Sequence, residues 1–135
     1  MTPQPRLVIT GGRKYADRAT VYAVLDALQP RELAHGAAWG ADTLADLWAV
    51  ANGLVPGETL RRYPAPWKLL GKRAGPHRNR AMLDDFRPDA VIAFPGGSGT
   101  ADCVTAALER GIEVWRVDVA TRRLVRVRRI QELRW

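Results

Sequence analysis

The densest chemical signal in this chain is Pro95-Gly96-Gly97-Ser98-Gly99-Thr100. It follows Ala90–Phe94, an apolar run too short for a helix and hydrophobic on both faces, which reads as a buried strand. It precedes Ala101–Arg110, whose Val104, Ala107 and Leu108 share one helical stripe. A strand, a glycine-rich turn and a helix together make a phosphate cradle. The first amides of the helix have no internal partner, the dipole favours an anion there, and glycines let the ligand reach the main chain. The competing reading is a plain strand-to-helix turn in which Pro and Gly serve geometry alone.

Two more glycine turns follow strand-like segments: Gly11-Gly12 after Arg6–Thr10, and Gly36 to Gly40 after Glu32–His35. Arg13 and Lys14 lie on the first and are placed to meet a phosphate. Asp42, just after Gly40, starts a helix; it reads either as a first-turn carboxylate favoured by the dipole or as an acceptor for a ribose hydroxyl. Arg78 and Asn79 sit where a further helix begins, with Arg78 the leading cation. Trp67, in a proline-rich stretch, reads either as a lid over a base or as an anchor of its own loop. The stretch ITGGRKY (9–15) is neither a dinucleotide fingerprint nor a P-loop, because the third glycine and the GK[ST] are missing. His77 and His35 have no second ligand at metal spacing, so no metal site is expected. Ser98 is not in a nucleophile elbow, and His35 has no evident orienting partner for a triad.

These side chains need a frame that brings them together. Strands are expected at 6–10, 32–35, 58–63, 90–94 and 113–118, with a C-terminal strand after them. One helix is expected between Asp17, which caps it, and Pro30, which closes it, with Val21, Val24, Leu25 and Leu28 at helical spacing. Others are expected at about 41–51 with Leu44, Leu47, Trp48 and Ala51 inward, at 78–86 and at 101–110. Residues 64–76 have no convincing period and read as a long functional loop. The alternation implies an α/β fold: one Rossmann-like three-layer sandwich with a mostly parallel sheet. All three glycine turns then fall on the carboxyl edge of that sheet, where such folds bind ligands.

The length of 135 residues suits one domain over residues 1–135, with 119–135 a basic C-terminal strand and tail. A hydrophobic share of 47% excludes a disordered chain, and no apolar run is long enough for a membrane span. The single cysteine, Cys103, excludes an internal disulfide; with no signal-like start, the expected setting is cytoplasmic. The net charge of +7 favours anionic partners. Its C-terminal arginines, from Arg122 to Arg134, read as a solvated edge strand or as a nucleic-acid contact.

Taken in order, VITGGRKY, HGAAWGADTLADLWA, YPAPWKLLGKRAGPHRNRAM and FPGGSGTADCV resemble the YspA-like branch of the SLOG superfamily over residues 6 to 118. The superfamily also holds the LOG-type phosphoribohydrolases and the Rossmann domain of the DNA-processing protein A. The resemblance implies a Rossmann-like fold, a pocket for a nucleotide or nucleotide-derived ligand, and a homodimer; no cofactor is expected. Pro95, Gly96, Gly97, Gly99 and Thr100 match the LOG phosphate turn, and Arg78 matches the LOG arginine. The LOG glutamate falls on Cys103, with Asp102 one residue early, about 100° round the helix. Three functions stay open. The first is binding or sensing of a nucleotide-derived ligand, with Ser98 in the cradle. The second is N-glycosidic hydrolysis by Arg78 with Asp42 or Asp102, whose carboxylate would stabilise positive charge on the ribose. The third is nucleic-acid binding.

Overall fold

A computed structural model describes residues 1–135. Six strands alternate with helices: β1 (Arg6–Thr10), α1 (Arg18–Leu28), β2 (Glu32–His35), α2 (Ala41–Ala51), β3 (Leu60–Arg62), α3 (Trp67–Leu70), α4 (Ala74–Phe86), β4 (Ala90–Ala93), α5 (Ser98–Glu109), β5 (Glu113–Val117) and β6 (Leu124–Val127). They form one sheet in the order β3-β2-β1-β4-β5-β6. Every neighbouring pair is parallel except β5 with β6.

Alternation along β1 and β4 divides two cores. Leu7, Ile9, Ile92 and Phe94 face Val21, Leu25, Ala45 and Trp48 of α1 and α2. Val8, Val91 and Ala93 face Met82, Leu83, Phe86, Val104 and Ala107 of α4 and α5. The result is the expected three-layer sandwich. Strand order reverses between β1 and β4, so the crevice beyond Thr10 and Ala93 is the topological switch point.

Four expectations about elements need correction. β3 is shorter than residues 58–63, because Glu58 and Thr59 donate their amides to the Val55 carbonyl and form a turn instead. The stretch 64–76 is mostly helical. Gly75 and Pro76 fall in the first turn of α4, where amide donors are not needed, so residues that usually break helices do not break this one. α5 begins at Ser98 rather than Ala101, placing Gly99 and Thr100 inside the helix. α2 buries Ala41, Ala45, Trp48 and Ala49, while Leu47 is 51% exposed and Ala51, also expected inward, lies exposed. Its alanines, not its leucines, allow the close approach to β1. The C-terminal segment does form an edge strand, and a 3-10 turn (Ile130–Glu132) then folds back against α5.

Candidate functional site

The three glycine turns meet through Gly12. Its amide donates to the Pro95 carbonyl at 2.9 Å, and its own carbonyl accepts from the amides of Tyr15 and Ala41, each at 3.2 Å. Gly11, Gly12, Gly40 and Gly96 serve this junction by close approach. Gly40 has φ +78°, and a Cβ there would strike the Gly12 carbonyl; a Cβ on Gly36 would strike the Arg78 guanidinium.

Above the junction lies a cleft of about 540 Å³. Gly11, Gly12, Arg13, Gly36, Asp42, Trp67, Arg78, Asn79, Gly97, Ser98, Gly99, Thr100 and Asp102 all line it. Gly40, Pro95 and Gly96 do not: they stand behind the wall, packed against the Gly12 junction and the Thr100 side chain. Lys14 and His77 are exposed and away from it. Sequence reasoning did not assign Ile9, Thr10, Ala38, Lys72, Gly75 or Pro76 to the site; they arrive by strand end, turn and helix start, and Met82, from the same RNRAM stretch as Arg78, lines the cleft too.

The floor is the start of α5. Its first main-chain bond runs from the Ala101 amide to the Gly97 carbonyl at 3.0 Å, so the amides of Ser98, Gly99 and Thr100 donate to no protein group. A Cβ on Gly97 or Gly99 would meet nothing within 4 Å, and neither residue has a positive φ. Gly99 is therefore a helical residue that no contact within the chain requires to be glycine, although glycine costs a helix about 1 kcal/mol relative to alanine.

Arg78 projects from α4 into the wall. Its Nη1 donates to the Gly36 carbonyl and, at 3.2 Å, to the Tyr63 carbonyl; its Nε donates to Asn79 Oδ1 at 2.9 Å. Nη2 has no protein partner, and burial lowers the affinity of the guanidinium for its proton. Arg13 lies over the Trp67 ring at 5.3 Å, a cation–π arrangement at the mouth.

Asp42 is 5% exposed. Its Oδ2 accepts from the amides of Gly36 (3.1 Å) and Ala38 (3.3 Å), which wrap the second glycine turn around it. Its Oδ1 is buried without any partner. Burial raises the Asp42 pKa above the ordinary aspartate range, against the opposing pull of His35, those amides and Arg78. Asp102 is occupied differently: Asn79 Nδ2 (3.0 Å) and Arg80 Nη1 (3.0 Å) both donate to it. Cys103 is fully buried in the α4–α5 core, and burial pushes its thiol up to about 12. It stays protonated and takes no place on the cleft wall.

His35 does have an orienting partner, contrary to the sequence reading. Its Nδ1 accepts from the Ala37 amide at 2.9 Å, so Nε2 carries the proton donated to Asp46 Oδ2 at 2.6 Å. Both ring nitrogens are committed, and Arg62 completes the cluster on Asp46 at 2.7 Å. None of the arginines from Arg122 to Arg134 lines the cleft. No helix is long and apolar enough to cross a membrane.

A family model for the YspA, cpYpsA-related SLOG family matches residues 5–69, a stretch that includes the first two glycine turns and ends before Arg78. The chain is 39% identical over 119 residues to the Gene 61 protein of Mycobacterium phage D29, across 81% of this chain and 93% of that one. Among solved structures it shares a fold with a UDP-GlcNAc 2-epimerase from Neisseria meningitidis crystallised with UDP-GlcNAc, at TM-score 0.50 and 19% identity. That likeness covers 82% of this chain but 31% of the epimerase chain. By the match of its N-terminal half and its near full-length likeness to the phage protein, the chain belongs to the YspA, cpYpsA-related SLOG family.

Proposed function

We propose that the cleft binds a nucleotide or nucleotide-derived phosphate ester, such as an ADP-ribose-like or nucleoside-phosphate molecule, and that the protein acts as its binder or sensor. The observation that carries this reading is Gly99. It is a helical glycine with open space where its side chain would stand, beside amides that have no acceptor. A ligand anion seated on those amides accounts for both features. Arg78, through its free Nη2, and Arg13 supply cationic contacts. Asp42 Oδ1, a buried acceptor with no partner, suits a ribose hydroxyl. Trp67, 48% exposed beneath Arg13, suits the face of a base.

The hydrolytic reading has weaker support. Asp102 is held by Asn79 and Arg80, and Cys103 is buried, which leaves Asp42 as the carboxylate available to a glycosidic transition state. Family membership supports a small-molecule ligand over nucleic acid, as does the absence of the C-terminal arginines from the cleft. We carry the homodimer forward on the exposed apolar face of α2, at Leu47 and Val50, to be read by sedimentation velocity.

The test is a thermal-shift screen of nucleoside mono- and diphosphates and ADP-ribose, with chromatography for released base. The reading expects a raised Tm with at least one of them, lost in Arg78→Ala, and no free base. No shift across the panel contradicts binding, and released base transfers the assignment to the hydrolase.

A further inference from the structure

The cleft continues past its arginines. A second hollow of about 270 Å³ shares Arg13, Gly36, Ala38, Trp67 and Arg78 with the first, and adds Ala37, Trp39, Pro64 and Ala65. No acidic side chain lines it. Arg13 and Arg78 thus belong to the wall common to both hollows, the place for negative charge on a ligand that spans them.

Trp39 gives the second hollow its character. It is 77% exposed, yet it sits on a turn that is tied at several points. Ala37 is held at φ +55°, a left-handed conformation uncommon for alanine, with its amide on His35 Nδ1. The Gly36 and Ala38 amides are on Asp42, and the Thr43 hydroxyl donates to the Ala38 carbonyl at 3.0 Å. An indole kept in water by a fixed turn, beside a hollow whose only charges are cationic, makes a flat stacking platform next to a phosphate site.

Resting on the phosphate reading above, we propose that the ligand has two ring systems joined through phosphates, in the manner of a dinucleoside pyrophosphate. Its phosphates lie between the α5 amides and the two arginines. One nucleoside occupies the cleft beside Asp42, and the second base stacks on Trp39 in the outer hollow.

The experiment is isothermal titration of ADP and of diadenosine diphosphate into the wild type, Trp39→Ala and Trp39→Phe. The side chain is solvent-facing, and unchanged Tm values check that the variants fold. The wild type is expected to bind the two-ring probe at least about tenfold more tightly than ADP, the scale of one stacked base. Trp39→Ala should erase that preference by weakening the two-ring probe, and Trp39→Phe should keep most of it. Equal wild-type affinity for the two probes overturns the inference, as does an equal loss of both in Trp39→Ala. If ADP binds without a two-ring preference, or another nucleotide of the panel binds while neither probe does, the inference alone falls; if no nucleotide of the panel binds either, the phosphate reading falls with it.

Discussion

Two groups of glycines stand at the same sheet edge for different reasons. Gly12 and Gly40 are dictated by the protein: a side chain on Gly12 would strike the Pro95 carbonyl and one on Gly40 the Gly12 carbonyl, and Gly40 also needs its positive φ. Gly97 and Gly99, a few ångströms of chain beyond Pro95, have open space and no left-handed backbone. The first group builds the junction of the three turns. The second leaves the start of α5 bare. On the proposed reading, glycine that the fold does not need, placed beside amides without protein acceptors, answers to the ligand.

The contrast is sharpest in stability. Gly40→Ala should lose roughly 3 kcal/mol from backbone strain and collision with Gly12. In a chain of this size that lowers Tm by about 10 °C. An unchanged Tm would remove the structural half of the comparison.

Asp42 adds a pH signature. Its pKa is higher in the folded state than in the unfolded chain, so the native protein binds that proton more tightly. Its stability contribution is fully present below the unfolded value and is lost as pH rises through the folded one. Asp42→Asn should therefore raise the ligand-free Tm at neutral pH relative to wild type, with the gap closing as pH falls into the ordinary aspartate range. The same variant should weaken ligand binding. A lower Tm at neutral pH would mean that the carboxylate belongs to the structure and not to the ligand.

Smaller effects are expected behind the wall. Trp135 donates its indole N–H to the Gly96 carbonyl at 3.2 Å, and Trp135→Phe should cost about 1 kcal/mol without altering ligand affinity. Cys103, fully buried with its thiol pushed up to about 12, should resist iodoacetamide between pH 7 and 9 until the protein unfolds. Rapid labelling of the native protein would place it at the cleft after all.

The sheet was legible in the sequence because its strands are short apolar runs bounded by turn residues, as at Ala90–Phe94. The rim was legible because parallel strands send all their following turns to one edge. What the sequence concealed is specific. Gly75 and Pro76 suggested a loop, although a proline in the first helical turn breaks nothing. Leu47 suggested the inward face of α2, because hydrophobicity outweighs size in a periodicity argument while close packing on β1 selects alanine. Gly40, Pro95 and Gly96 carry the motif but support the wall, since a glycine needed for close packing looks the same in sequence as one needed for a ligand. The His35–Asp46 pair joins a strand end to the next helix, a contact that spacing alone does not reveal.

The central claim is that Gly99 is glycine for the ligand. Gly99→Ala should therefore be measured twice: its Tm without ligand, and its affinity by titration for whichever nucleotide shifts the wild type. The account predicts an unchanged or slightly higher Tm, by about 0.5 kcal/mol in stability, with affinity at least about tenfold weaker. A destabilised protein, or one that binds the nucleotide as the wild type does, would contradict it.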